Sequence, residues 1–276
     1  MLSEQLQKKV DRAIRLLQSI KADEIELSYS GGKDSDVILE LAKMSGIKFR
    51  AIYKNTTIDP PYTIKHVKEK GVEIIRPKET FAQLIQKNGF PNQFMRFCCK
   101  YLKEYKVLDK AIHGIRRSES RKLSERYKEP TYCRVYNKDD KVEVFMPILE
   151  WSDDDIKQFV DHFKVKCHPL YYDNGVFHPE RRLGCMCCPL ASSRKRIEYF
   201  KAYPLMVRFY IRNGKRFLDT HTSTKTAKRF DSVYDWFVYD LFHGINKNIM
   251  EQFKPNMFGE RLDSKKYLED YFKIKL

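Results

Sequence analysis

The sequence predicts an α/β chain built on a doubly wound parallel sheet. Two observations carry that expectation. Short runs rich in β-branched and aromatic residues recur at 24–29, 49–53, 72–75 and 111–115, and amphipathic helical stretches lie between them. Strands alternating with helices imply a parallel sheet covered on both faces, and right-handed crossovers make it doubly wound.

The elements follow in order. Residues 3–20 predict an amphipathic helix, because Leu6, Val10, Ala13, Ile14 and Leu17 fall at helical spacing. Glu24 to Tyr29 reads as a strand ending at Ser30, and Gly31-Gly32 form a tight turn. A helix from about Asp34 to Met44 carries Val37, Ile38, Leu41 and Ala42 on one face. Phe49 to Tyr53 is a second strand. Pro60 and Pro61 suit the first turn of a helix bearing Ile64 and Val67. Val72 to Ile75 is a strand, Phe81 to Gln86 a helical stretch, and Ala111 to Ile115 a further strand.

The later chain differs. Val142 to Met146 can pair with Tyr132 to Tyr136 across the polar turn Asn137-Lys138-Asp139-Asp140. Ser152 suits a helix N-cap followed by Asp153, Asp154 and Asp155. Beyond Pro189 the chain is basic, aromatic and helical to about Arg216. Two domains are therefore expected, 1–190 and a basic helical region 191–276.

Composition narrows the function classes. Hydrophobic residues make up 42% and aromatics 13% of the 276, enough to build a packed core, which argues against a wholly disordered chain. No segment approaches the roughly 20 apolar residues of a bilayer span. The N-terminal residues lack the apolar core of a secretion signal. A cytoplasmic location without membrane partners is the default expectation. The net charge of +16 favours polyanionic partners, nucleic acid or nucleotides, over a merely solvated lysine-rich surface. Aromatics interleaved with basic residues near the C-terminus strengthen the case for nucleic acid.

Seven cysteines, an odd number, argue against a disulfide framework. Five fall in two clusters, Cys98-Cys99 and Cys185/Cys187/Cys188, while Cys133 and Cys167 stand apart. A Cys-Cys pair and the C-x-x-C of Cys185 and Cys188 supply four thiolates, a set for a [4Fe–4S] cluster or one zinc ion.

Ser30-Gly31-Gly32-Lys33-Asp34-Ser35 joins a strand to a helix. Two glycines let the backbone approach an anion closely, and the helix start offers free N–H groups at the positive end of its dipole. Lys33 adds a cation, Ser30 and Ser35 add hydroxyls, and Asp34 is the expected carboxylate for the Mg²⁺ that accompanies phosphates. The G-x-x-x-x-G-K-[ST] spacing of a Walker loop is absent.

This hexapeptide resembles the PP-loop of the ATP pyrophosphatase superfamily. Further pieces are Arg96 to Lys103, Gly114 to Arg121, Pro147 to Trp151, His168-Pro169-Leu170-Tyr171 and Gly184 to Leu190. Together, in that order over roughly 22–190, they resemble the phosphoadenosine phosphosulfate reductase family, whose fold is adenine nucleotide alpha-hydrolase-like. The resemblance implies ATP binding by Ser30 to Ser35 and by Gly114, Arg116 and Arg121, with Lys33, Asp34 and Arg116 catalytic. It implies cluster ligation by Cys98, Cys99, Cys185 and Cys188. Cys187 stands where a glycine or another non-ligand is expected.

Two departures point within the family. The family's assimilatory reductases have a degenerate loop and a nucleophilic cysteine on the C-terminal tail. Here the loop is intact, and no cysteine follows Cys188. Both favour a member that splits ATP to AMP and pyrophosphate, like the ATP pyrophosphatases of DNA phosphorothioation or tRNA thiolation. A sulfur-donor protein such as a cysteine desulfurase is then an expected partner. The alternatives are a sulfonucleotide reductase using an external thiol, a non-catalytic nucleotide- or nucleic-acid-binding module and, more remotely, FAD synthesis. Pyrophosphate release from ATP, sulfite release from a sulfonucleotide, or binding without turnover separates the first three.

Overall fold

The computed structural model describes residues 2–92, 94–136, 138, 140–188, 191–243 and 247–276. Asn137 and Asp139 of the expected polar turn, and Pro189 and Leu190 after the last cysteines, lie outside the described residues.

Helix α1 (Glu4–Gln18) starts where the Ser3 hydroxyl accepts the Leu6 N–H, and it buries Leu6, Val10, Ala13 and Leu17. There follow β1 (Ile25–Tyr29), α2 (Lys33–Ser45), β2 (Phe49–Lys54), α3 (Thr63–Glu69) and β3 (Glu73–Ile75). Pro60 and Pro61 precede α3 instead of forming its first turn, because Tyr62 at the N-cap has a left-handed φ of 69°. Next come α4 (Phe81–Asn88), α5 (Phe97–Leu102), β4 (Lys110–His113), α6 (Arg121–Arg126), β5 (Thr131–Val135) and β6 (Lys141–Phe145). Helix α7 (Asp153–Phe163) begins with a reciprocal capping box between Ser152 and Asp155. A short hairpin, β7 (Tyr172–Asp173) and β8 (Val176–Phe177), precedes the C-terminal helices. These are α8 (Ser193–Ala202), α9 (Leu205–Thr220), α10 (Lys225–Arg229), α11 (Val233–Phe237) and α12 (Ser264–Phe272). The helical character expected after Pro189 to about Arg216 is present as two helices, α8 and α9, with the chain turning at Tyr203-Pro204 between them.

Packing divides the chain into two compact units. The first comprises Met1–Asn55, Asp59–Pro77 and Lys103–Gly184; the second comprises Thr56–Ile58, Lys78–Leu102 and Cys185–Leu276. The second unit thus takes Thr56–Ile58, Lys78–Leu102 and the stretch beginning at Cys185 from within the span 1–190.

The first unit holds a six-stranded sheet of order β3-β2-β1-β4-β6-β5. All pairings are parallel except β5 with β6, the hairpin expected from sequence. The chain runs outward from β1 through β2 to β3, then returns to β4 on the other side of β1. That reversal makes the carboxyl ends of β1 and β4 the switch point of the fold, the usual ligand crevice of an open α/β sheet. One sheet face carries Ile25, Leu27, Tyr29, Tyr53 and Ile112 into a core shared with α1, α2 and α7. The opposite face carries Glu26 and Ser28.

The second unit is helical around an aromatic core that includes Phe81, Phe90, Phe200, Tyr210, Trp236 and Phe237. Among the described residues, no helix is long and apolar enough to cross a membrane.

Candidate functional site

The loop predicted to hold an anion sits at the switch point. Gly31 follows β1 with φ of 78°, a conformation that favours glycine, and a Cβ there would lie 3.1 Å from Thr63 Cγ2. Gly32 at the N-cap of α2 offers no side-chain hydrogen bond to the helix start. Ser35 Oγ donates to the Gly32 carbonyl at 2.7 Å and lies 3.3 Å from Ser30 Oγ, closing the loop on itself.

Lys33 is 2% exposed. Its ammonium donates to Asp34 Oδ2 at 3.0 Å and to the Arg181 carbonyl at 3.3 Å. Tyr171 closes the same corner. Its buried phenol oxygen accepts the backbone N–H of Leu183 at 3.1 Å and that of Lys33.

Asp34 is fixed from two sides. Arg116 Nε donates to Asp34 Oδ1 at 2.6 Å, and Arg116 Nη2 donates to Asp153 Oδ1 at 2.8 Å. Arg116 Nη1 binds Ser118 Oγ and the Trp151 carbonyl at 2.8 and 3.3 Å. Four of its five N–H donors are therefore directed at protein atoms. Gly114 makes this approach possible, since a Cβ there would stand 3.0 Å from the Asp34 carbonyl. Arg121, expected from the family pattern at the nucleotide, lies exposed on α6 with its Nε on Glu125 at 2.7 Å.

Sequence reasoning gave no site role to Glu119 and read Asp153 only as a carboxylate at a helix start. Burial, and then the neighbouring Asp34, raises the Glu119 carboxyl above the ordinary range, against the pull of Arg182, Arg116 and Lys33. Asp34 and Glu119 are carboxylates of the hard-oxygen chemistry that suits Mg²⁺. Glu119 lies inside Arg117-Ser118-Glu119-Ser120, and its type next to two arginines was the available signal.

The four cysteines fall in the second unit, Cys98 and Cys99 on α5. The Cys98 thiol is raised first by its hydrogen bond with Cys99, then by burial and by Cys188 and Cys185. Cys185 Sγ lies 3.7 Å from Thr56 Oγ1. Among the described residues, no group of three or more His, Cys, Asp or Glu side chains is arranged as a closed metal site. The donor chemistry fits soft metals nonetheless, since four partly exposed thiols belong to one unit. Cys187 differs from them. It is buried, has a φ of 53°, and its carbonyl accepts from Tyr210 Oη at 3.4 Å. The position where a glycine was expected has glycine's preferred conformation.

The basic segment divides. Arg208, Arg212, Lys215 and Arg216 are exposed on α9, whereas Arg196 is buried and donates to the Leu241 carbonyl at 2.6 Å. Phe200 and Tyr210, two of the aromatics interleaved with these basic residues, are fully buried in the aromatic core and are not available to stack on bases. An amphipathic helix turns its aromatics inward to remove apolar area from water.

Fold and loop together define an α/β protein with a glycine-rich strand–helix turn at its switch point. Residues 24–191 match the phosphoadenosine phosphosulfate reductase domain. The chain belongs to that family. It is 29% identical over 207 residues to an uncharacterized protein of Methanocaldococcus jannaschii, covering 70% of this chain and 48% of that protein. It is 27% identical over 191 residues to an uncharacterized 37.8 kDa protein of Escherichia phage 186, covering 59% and 55% respectively. The chain thus spans about half the length of these curated relatives. Among solved structures, it is similar to the U34-tRNA thiolase NcsA of Methanococcus maripaludis with its [4Fe–4S] cluster. There the identity is 15% and the TM-score 0.43, over 91% of this chain and 82% of that one. It is also similar to the NH3-dependent NAD synthetase of Campylobacter jejuni, at 15% identity and TM-score 0.40, over 79% and 95%.

Proposed function

We propose that this protein splits ATP to AMP and pyrophosphate, activating an acceptor by adenylation for sulfur transfer, with nucleic acid as the acceptor. The observation that carries this reading is the intact Ser30–Ser35 loop at the switch point, with Lys33 and Asp34 buried or half-buried beneath its N–H groups. An enzyme that attacks a preformed sulfonucleotide has no pyrophosphate to release and no need of such a loop.

The proposed chemistry runs in two displacements. An oxygen of the acceptor attacks the α-phosphorus of ATP, the bond to the bridging oxygen breaks, and pyrophosphate leaves with its electron pair. The α2 N–H groups and Lys33 stabilise charge building on that leaving group. Arg116 holds Asp34 in place, which makes it a positioning residue in this scheme. Mg²⁺, when bound, supplies further charge neutralisation, and Asp34 and Glu119 are the carboxylates that would hold it. A sulfur nucleophile, from a donor such as a cysteine desulfurase, then displaces AMP together with the acceptor oxygen. Cys98, Cys99, Cys185 and Cys188 would hold a [4Fe–4S] cluster, or zinc in its place, and with four cysteine ligands the group would serve to hold this part of the second unit in shape. The exposed α9 arginines and lysine supply a cationic surface for DNA or tRNA.

The second reading, a sulfonucleotide reductase using an external thiol, is favoured by the family match itself. Anaerobic incubation with ATP and with phosphoadenosine phosphosulfate separates the two, by pyrophosphate release or sulfite release.

A further inference from the structure

In the second unit the chain turns outward just before the helix that carries Cys98 and Cys99. Phe90 is fully buried, its ring stacked on Trp236 with centroids 4.0 Å apart. Asn92 is buried too, and its side-chain oxygen accepts the backbone N–H groups of Phe94 and Met95 at 2.9 and 3.0 Å. The turn is thus tied to the aromatic core, yet it leaves Phe94 78% and Met95 48% exposed. On α5, Tyr101 is 47% exposed. Apolar residues scattered singly over a surface are ordinary, but three between positions 94 and 101, two of them on a turn anchored by a buried side chain, offer a partner apolar area to cover.

The charges around them select that partner. From Thr80 to Leu102 the sequence has no Asp or Glu, whereas Lys87, Arg96 and Lys100 all fall within it. Lys87 is paired with Glu79 at 3.3 Å. Arg96 and Lys100 are exposed, and they alternate in the chain with the exposed rings. Cations interleaved with solvent-facing aromatics, with no carboxylate among them, form the kind of surface that binds single-stranded nucleic acid. The rings stack on bases and the cations pair with phosphates. A duplex keeps its base faces covered by neighbouring pairs, so exposed rings gain little from it.

We propose that Phe94 and Tyr101 stack on unpaired nucleotides of the acceptor strand, with Arg96 and Lys100 pairing with its phosphates. Cys98 and Cys99 lie between these residues in the chain, so a strand held there passes the thiols. The stacking surface stands on the exposed residues alone; calling the bound strand the acceptor rests on the adenylation reading above.

The test is fluorescence anisotropy of the full chain with short labelled single-stranded DNA and RNA oligonucleotides and the matching duplexes, all without ATP. Phe94→Ala and Tyr101→Ala should each weaken single-strand binding about five- to a hundredfold, the scale of one base–aromatic stack, and leave duplex binding as it was. Both residues face solvent, so the melting temperature should hold. The dependence of log affinity on log salt should also hold in these two variants, because stacking releases no counterion. Phe94→Trp should keep the affinity. Lys100→Ala should flatten the salt dependence by about 0.7, the value for one phosphate contact on a single strand. The tighter of DNA and RNA identifies the kind of strand. No single-strand binding, unchanged affinity in both alanine variants, or an equal loss for single strand and duplex overturns the proposal. So does an oligonucleotide affinity that survives Phe94→Ala while binding to anionic phospholipid vesicles or to a cysteine desulfurase is lost, since the rings would then serve a membrane or a protein. Binding is read without turnover, so absence of pyrophosphate release would sink the adenylation reading and leave the stacking surface standing. Oligonucleotide-stimulated pyrophosphate release that Phe94→Ala leaves unchanged would overturn the acceptor assignment alone.

Discussion

Arg116 Nε lies 2.6 Å from Asp34 Oδ1, while the other end of the same guanidinium holds Asp153 at 2.8 Å. The arginine is nearly fully buried, so its main contacts are with protein carboxylates and carbonyls. In this arrangement it aims Asp34. Arg116→Lys keeps a charge but loses the fork that bridges two carboxylates. We expect it to lower stability by about 2–3 kcal/mol, less than a fully buried pair because Asp153 is half exposed. It should also raise the Mg²⁺ concentration needed for half-maximal turnover. Thermal unfolding and a Mg²⁺ titration of pyrophosphate release check both parts.

Lys33→Ala and Asp34→Ala should each reduce pyrophosphate release by at least about a hundredfold, the usual scale for removing one preorganised charge-stabilising group. Circular dichroism should show both variants folded. Unchanged release in both would remove this loop from the chemistry.

Cysteine substitutions should divide into two sets. Anaerobically purified protein should be brown, and Cys98→Ser, Cys99→Ser, Cys185→Ser and Cys188→Ser should each lower its iron and labile sulfide. Cys187→Gly should keep them, because that residue is buried in a left-handed turn. Colourless protein with one zinc per chain would refute the cluster and keep the ligands.

Stability should fall in acid partly through His113. Its folded-state value is held near 3, below the ordinary 6.5, so the unfolded chain binds the proton first. The contribution is therefore present above about pH 6.5 and is lost as pH falls toward 3, by up to about 1 kcal/mol per pH unit. The drop in melting temperature between pH 7 and pH 5 should be smaller in His113→Leu than in the unaltered protein. An equal drop would contradict the assignment.

The exposed face of α9 should behave as a phosphate-binding surface. Reversing charge at Arg208, Arg212 and Arg216 should weaken DNA and tRNA binding. It should also flatten the dependence of log affinity on log salt by about two to three, near 0.9 per lost contact on duplex DNA. Arg208 already donates to the Lys275 carbonyl at 2.8 Å, so it should contribute least of the three.

What the sequence disclosed depends on whether the signal was local. Strand β1, the glycine turn and α2 lie within 25–45 and each carries its own local signal, so loop and element order were both legible. The Ser152 cap was legible for the same reason. The pairing of Arg116 with Asp34 spans 82 positions and leaves no local trace. Cys98 and Cys99 were visible as a pair, but their six-residue helix was too short to show a period. The α9 segment misled in part, because aromatics among basic residues look the same whether the rings face solvent or, as Tyr210 does, the core. Glu26 was read only as part of a strand, since the burial of its face follows from β2 and β4 lying on either side.

The most direct test of the account is the fate of α-labelled ATP incubated anaerobically with the protein and Mg²⁺, with and without DNA or tRNA, resolved by thin-layer chromatography. The account predicts labelled AMP with an equal amount of pyrophosphate, increased by the nucleic acid and abolished by Lys33→Ala. Labelled ADP, or unconsumed ATP alongside sulfite release from phosphoadenosine phosphosulfate, would contradict it.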